Sequence, residues 1–210
     1  WRDWSSDVCS SDLPEGAVTQ HVQRWRERRD SYRPAGEPID PTRYGVDVVP
    51  EGVARAFVQA HHYSASFPAA RLSVGMFRAR GTSAPDLVGV AVFSVGIVHE
   101  RSIGRWCGLP GSAGVELGRF VLVDDVEANG ETWFLRRTFA TVRSELAGVR
   151  SVLAYSDPVP RAAEDGRAIM PGHVGTIYQA HNGRYLGRGR GRALVLAPDG
   201  SVVSERALSK

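Results

Sequence analysis

Polar and aromatic residues that could do chemistry are concentrated between Gly172 and Gly187, in the sequence GHVGTIYQAHNGRYLG. His173 could act as an acid or a base, and Tyr178 could act as an acid or a base or donate its hydroxyl. The glycines of this stretch allow positive φ and a close approach of the backbone to a ligand. We interpret the stretch as one wall of a functional cleft. The structural alternative is a turn-rich connector in which Tyr178 is a core ring with a satisfied hydroxyl.

Two further groups of reactive side chains lie earlier in the chain. The sequence His61-His62-Tyr63-Ser64 falls at the end of a predicted helix, where adjacent histidines point about 100° apart, so His61 can face the core while His62 points elsewhere. Asp157 ends a predicted strand, at the edge where open α/β sheets bind ligands. It could ligate a metal or act as a general base; otherwise it is a turn-forming Asp before Pro158.

The basic residues form clusters although the net charge is only +3. One cluster precedes residue 34, and a second one follows residue 181. Interleaved with aromatic rings, such arginines could contact phosphates and stack on bases, and a solvated, salt-bridged face is the alternative. The candidate nucleic-acid contacts of the second cluster are Asn182, Arg184, Tyr185, Arg188 and Arg190.

Hydrophobic periodicity predicts the elements that must position these residues. An amphipathic helix follows Pro50, strands cover 71–80 and 86–98, and 105–113 is loop-like. A strand over 116–123 leads into a helix over 131–147 whose buried stripe is Leu135, Phe139, Val142 and Leu146. A strand over 151–157 and a final hairpin over 192–203 follow. This order predicts an α/β (α+β) fold, a mixed central sheet flanked by helices, and it is similar to the Gcn5-related N-acetyltransferases.

Helix 131–147 could also receive a phosphate, because the backbone N–H groups of a helix N-terminus and the helix dipole attract anions. The residues placed there are Asn129, a predicted N-cap, with Gly130 and Glu131. The usual basic phosphate loop of the acetyltransferases is absent, and the nearby acids would repel a pyrophosphate; they are Asp124, Asp125, Glu127 and Glu131. A capped structural helix is the alternative.

The composition is that of a globular chain, and the expected organisation has three parts. Residues 1–14 are expected to be a non-native sequence artefact, 15–45 a basic helical arm with a Pro-rich linker, and 46–210 the catalytic domain. Two cysteines are too few for a disulfide framework or a paired-Cys zinc site. No apolar run is long enough to span a membrane, so an intracellular protein is expected.

Four segments in order resemble the bacteriophage Mom DNA-modification proteins. They are HHYS at 61–64, ELGRFVLVDD with ANGETWFL within 116–135, AYSDP at 154–158, and the stretch 172–187. The resemblance implies an acetyltransferase-like fold that converts adenine in double-stranded DNA to an N6-carbamoylmethyl form. This modification protects phage DNA from host restriction, and a phage- or prophage-encoded enzyme would act in the host cytoplasm.

The resemblance also implies residue roles. Tyr63, Asp157 and Tyr178 are the implied catalytic residues, and His62, Tyr63 and Asp157 the implied iron ligands. His173, the candidate acid or base of the 172–187 stretch, completes the predicted catalytic set. The implied donor is acetyl-CoA or an aminoacyl compound, and the chain could be a monomer or a homodimer. An ordinary acetyl-CoA-dependent N-acetyltransferase acting on a small amine or a protein, and a non-catalytic DNA-binding module, are the alternatives.

Overall fold

The computed structural model describes residues 21–26, 29–34, 37–96, 99–166, 168–170, 172–189, 195–198 and 202–203. In chain order its strands are β1 (His21–Arg26), β2 (Arg29–Pro34), β3 (Tyr44–Val48), β4 (Ala70–Arg80), β5 (Ser83–Ser94), β6 (Gly114–Leu122), β7 (Ser151–Ala154), β8 (Arg161–Ala162), β9 (Ala168–Met170), β10 (Val195–Leu196) and β11 (Val202–Val203). The α-helices are α1 (Glu51–His61), α2 (His99–Cys107), α3 (Gly130–Glu145) and α4 (Thr176–Ala180), and short 3-10 turns cover Pro41–Arg43 and Gly111–Ala113.

A five-stranded mixed sheet with the order β3-β4-β5-β6-β7 forms the centre of the fold. The neighbours from β3 to β6 are antiparallel, whereas β6 and β7 are parallel. Such a sheet with helices packed on it confirms the predicted α/β (α+β), acetyltransferase-like class.

The central strand β5 explains how both faces of the sheet are covered. Its consecutive residues 90–93 are all fully buried. Val90 and Val92 pack with Phe57 of α1, while Ala91 and Phe93 pack with Phe134 of α3. Because alternate side chains of a strand point to opposite faces, α1 and α3 cover opposite faces of the sheet. The nearly continuous apolar run of β5 therefore has the predicted cause, burial on both sides.

Two segments differ from the predicted elements. Residues 21–26 and 29–34 form the antiparallel pair β1–β2, so the helical arm predicted over 15–33 is wrong there. Residues 105–107 are the last residues of α2, so the predicted loop over 105–113 begins too early. The buried side chain of Ile103 packs against Gly114 of β6 and anchors α2 to the sheet.

The N-terminal boundary of the folded unit also differs. Ile39 is buried in the core and its N–H donates to the carbonyl of Ala128 at 2.8 Å, and Pro38 forms an isolated bridge to the same residue. The packed unit therefore extends to residue 38 rather than beginning at 46. Residues 1–14 lie outside the described part of the chain.

The predicted C-terminal hairpin is confirmed where it is described, since Val195–Leu196 pairs antiparallel with Val202–Val203. Within the described residues, no helix has the length and apolar character needed to cross a membrane.

Candidate active site

The site lies where β6 extends past the end of β7. β7 ends at Ala154, which pairs with Leu117, and β6 continues to Leu122. Arg119 belongs to this extended part, and its Nε donates to the backbone carbonyl of Ser66 at 2.8 Å. This bond joins the segment after α1 to the open edge of the sheet, and Asp157 follows β7 at the same edge.

His62 is the C-cap residue of α1, and the turn that follows holds its ring. Its backbone is extended, and its N–H still donates to the carbonyl of Val58. The ring Nδ1 lies 3.0 Å from Ser64 Oγ and accepts the backbone N–H of Ser64 at 3.2 Å. Burial, aided by the charges of Arg119 and His173, lowers the pKa of His62 to about 3. The imidazole is therefore neutral near pH 7, and with Nδ1 accepting, its proton resides on Nε2.

Tyr63 contacts the other members of the cluster through its ring. The ring stacks on that of His62 with centroids 4.3 Å apart, and the His173 ring meets it edge-on at 6.5 Å. The Arg161 guanidinium lies over the same ring, 5.8 Å from its centroid. Burial raises the pKa of Tyr63, so its hydroxyl keeps its proton near pH 7.

Asp157 is fixed by its own turn and by an arginine. Oδ1 accepts the N–H of Val159 and Oδ2 accepts Nη2 of Arg161, both at 3.2 Å. Its backbone carbonyl accepts the N–H of His173 at 2.8 Å, which attaches the 172–187 stretch to the end of β7. Both predicted roles of Asp157 are compatible with this position, and so is the turn-forming role.

His173 and Tyr178 lie on the glycine-rich stretch itself. Burial lowers the pKa of His173 and the charge of Asp157 opposes this, so the ring is neutral near pH 7 and has a lone pair that can accept a proton. Burial, with a smaller effect of Tyr63, raises the pKa of Tyr178 to about 12. Tyr178 also packs against the core, so the cleft-wall and core-ring interpretations both describe it.

The structure thus brings together the five residues predicted for catalysis or iron binding, which are His62, Tyr63, Asp157, His173 and Tyr178. Two charged residues that the sequence analysis did not assign to a site, Arg119 and Arg161, belong to the same cluster. Arg119 was visible as a charge within the apolar run ELGRFVLV. For Arg161 the sequence offers only its i,i+4 spacing from Asp157.

Several of the groups that the predicted iron ligands would offer are already engaged. Nδ1 of His62 accepts from Ser64, both carboxylate oxygens of Asp157 accept N–H groups, and the cation of Arg161 lies beside Tyr63. In the described part of the chain, no group of three or more His, Cys, Asp or Glu side chains is placed to hold a metal ion. This arrangement does not fit a divalent cation, and iron stays a prediction that requires these side chains to rearrange.

The N-terminus of α3 is a separate place, and the cofactor contact predicted there also stays a prediction. Asn129 occupies the N-cap position but is left-handed (φ 65°) and makes no side-chain capping bond, so its predicted capping role is wrong. The N–H of Gly130 donates to the carbonyl of Glu127. Glu131 lies in the first turn. Of the nearby acids, Asp125 and Glu127 pair with arginines at 2.9 and 2.7 Å.

The residues predicted to contact DNA form an exposed strip next to the site. Arg184 and Arg188 are exposed, Asn182 is exposed with φ 59°, and Tyr185 is 54% exposed. Arg190 lies outside the described residues. The strip begins beside α3, where His181 meets Phe139 at 5.1 Å, and reaches Trp106 of α2 at Gly187.

The sequence was compared with curated proteins and with models of protein families. A comparison with curated proteins gives no match. The model of the Mom protein family matches residues 43–210, which include every strand of the central sheet and all members of the cluster. The chain therefore belongs to the Mom protein family, a family of phage DNA-modification enzymes whose substrate is DNA.

Proposed function

We propose that this chain converts adenine in double-stranded DNA to an N6-carbamoylmethyl derivative and so protects phage DNA from host restriction. The observation that carries the proposal is the assembly of His62, Tyr63, Asp157, His173 and Tyr178, which come from segments far apart in the chain, at one edge of the sheet. Packing alone does not require this concentration of partly buried titratable side chains, and such clusters mark functional sites.

The proposed substrate needs to leave the double helix before it can react. N6 of a paired adenine is engaged in base pairing, so the base is flipped into a pocket and stacked on an aromatic ring. Tyr185 is exposed on the strip and suits that contact, and Asn182 would lie next to the base edge. Arg184 and Arg188 would contact phosphates without reading the sequence.

Neighbouring helices extend this cationic surface. Arg136 and Arg137 of α3 are exposed, and the charge of Arg136 acts on His181 at the start of the strip. On α2, the guanidinium of Arg105 lies 4.8 Å above the Trp106 ring, where the strip ends. Both helices therefore place cations beside Arg184 and Arg188, as a protein that follows a phosphate backbone requires.

In the proposed reaction, N6 of the flipped adenine forms a bond to the donor carbon. The bond from that carbon to its leaving group breaks, and the leaving group keeps the electron pair. His173 accepts the proton from N6, because its imidazole is neutral and the nearby charge of Asp157 stabilises the imidazolium that forms. Tyr63 and Tyr178 keep their protons and donate hydrogen bonds to the reacting groups.

The test is mass spectrometry of nucleosides from plasmid DNA after expression of the full chain in a restriction-deficient host. We expect a modified deoxyadenosine with the unchanged chain and its loss with Asp157→Asn, which keeps the size of the side chain but weakens its bond to Arg161. Asp47→Asn is the matched control, because Asp47 is exposed on β3 at the opposite edge of the sheet.

Two results would contradict the proposal. One is unmodified DNA from cells that contain folded protein and were supplied with iron; the ordinary acetyltransferase would then be the better hypothesis, to be tested by coenzyme A binding in the absence of DNA. The other is a modified deoxyadenosine that persists at the same level in Asp157→Asn, which would place the chemistry elsewhere.

A further inference from the structure

Arg119 is a partly buried cation whose hydrogen-bond partners are all uncharged. It donates to the backbone carbonyl of Ser66 at 2.8 Å, to Ser66 Oγ at 2.6 Å and to the carbonyl of Gly118. A guanidinium carries five N–H donors, so two remain after these three bonds. Among the described residues, no carboxylate lies within salt-bridge distance of Arg119.

Other arginines that are shielded from solvent are neutralised. The side chain of Arg78 is 19% exposed and pairs with Asp125 at 2.9 Å. That of Arg161 is 13% exposed and pairs with Asp157 at 3.2 Å. Removing a charge from water without a partner of opposite sign costs stability, so these pairs are expected and the arrangement at Arg119 is unusual. Burial also lowers the pKa of Arg119, as it does for a cation that lacks such a partner.

Arg119 is next to the reactive cluster. Its positive charge acts on both His62 and Tyr63, and the second cation of the site, Arg161, lies over the Tyr63 ring. Asp157, whose charge acts on Tyr63 and His173, already accepts a hydrogen bond from Arg161. Two cations, Arg119 and Arg161, thus stand with one carboxylate, Asp157, and the positive charge that remains would be balanced by an anionic ligand.

We propose that Arg119 binds an oxyanion, a carboxylate or a phosphate, of the donor substrate that delivers the carbon to N6; this inference rests on the proposed function. A guanidinium suits such a group because it can donate two parallel charge-assisted bonds. The N-terminus of α3 is a poorer place for it, since Asp124 and Glu131 lie there. DNA phosphates have the exposed Arg184 and Arg188 available instead.

Binding of small anions to the full chain, measured without DNA, tests this directly. Pyrophosphate and acetate are titrated separately, with tryptophan fluorescence and thermal unfolding as readouts, so that the two arms distinguish a phosphate from a carboxylate. We expect saturable binding of one of them to the unchanged chain. Arg119→Met should weaken it about tenfold or more, and Arg119→Lys, which keeps the charge but loses the planar fork, should weaken it less.

Arg184→Met is the matched control, because it removes an exposed arginine of the strip. It should bind the anion normally and a duplex oligonucleotide more weakly, whereas Arg119→Met should bind the duplex normally. Circular dichroism and thermal unfolding check that each variant is folded before its binding is compared. If Arg119→Met does not fold, Arg119→Lys carries the comparison.

Three results overturn the inference. The unchanged chain binds neither anion at concentrations up to about 10 mM, or the Arg119 variants bind it as the unchanged chain does, or they lose duplex binding instead. The last result would assign Arg119 to a DNA phosphate. Because none of these measurements requires modified DNA, the inference and the proposed function can fail separately.

Discussion

His62 makes the stability of this protein depend on pH in a direction that can be measured. Its folded-state pKa is lowered from 6.5 to about 3, mainly by burial. The unfolded chain therefore binds a proton more readily than the folded one. Stability from this residue is fully present above about pH 6.5 and is lost as the pH falls from there towards 3. Burial also lowers the pKa of His173 and of His181, and both act in the same direction.

The size of the effect follows from the two pKa values. At pH 5 nearly all unfolded molecules have a protonated His62 and nearly all folded molecules do not, so the free energy of unfolding is about 2 kcal/mol lower than at pH 7 on account of this residue. For a chain of this length, that corresponds to a decrease in Tm of roughly 4–8 °C.

The perturbation is His62→Gln, which removes the titrating group and keeps an acceptor for the N–H of Ser64. Urea unfolding followed by circular dichroism at pH 7 and pH 5 gives the free energies. The loss of stability between the two pH values should be about 2 kcal/mol smaller in the variant than in the unchanged chain. His181→Gln is the control, and it should reduce the loss by less, because His181 is less deeply buried than His62. An equal loss in the unchanged chain and His62→Gln would refute the reasoning.

Two substitutions test the fold around the site. Phe134→Ala empties a fully buried position between α3 and the sheet, so the free energy of unfolding should fall by about 3–5 kcal/mol in urea titrations, and a loss below about 1 kcal/mol would contradict the packing described. Gly172→Ala should lower both the free energy of unfolding and the yield of modified deoxyadenosine, because Gly172 has φ +82° and an added Cβ would collide with the carbonyl of Pro158, displacing His173. An added Cβ at Gly189 would meet open space, so Gly189→Ala should leave both quantities unchanged. Equal effects of the two substitutions would contradict this account.

The central sheet could be predicted from the sequence because its signal is local. The run of β5 is apolar on both faces and α1 has one apolar stripe, so period and length identify them without knowledge of neighbours. α2 was missed because Gly104 and Gly108 resemble a loop, while its anchoring contact, Ile103 on Gly114, joins two elements and has no local pattern. The residues 21–34 are polar and basic, and such a segment has no apolar face to distinguish a helix from a hairpin.

For the site, too, local sequence patterns predict the candidate residues but not the contacts between them. His62, Tyr63 and Asp157 are recognisable because they lie at the ends of predicted elements. His173 and Tyr178 are recognisable because they lie in a glycine-rich polar stretch. That they meet depends on β7 ending opposite Leu117 while β6 continues, a long-range register that no single segment encodes. The Arg119–Ser66 bonds are long-range as well.

The charge balance of the site connects the two proposed substrates. Adenine N6 is an uncharged nucleophile and must lose a proton, which neutral His173 can accept, whereas a positively charged histidine could not. Burial keeps His62 and His173 neutral. Arg119 is the only described charge of the cluster without a carboxylate partner, since Asp157 pairs with Arg161. In the proposed site, neutral His173 would face the base and the cation of Arg119 would face the co-substrate. An uncharged base and an anionic donor would therefore bind at different positions. The alternative, an acetyl donor held mainly at the N-terminus of α3, would leave the charge of Arg119 without an anionic partner among the described residues.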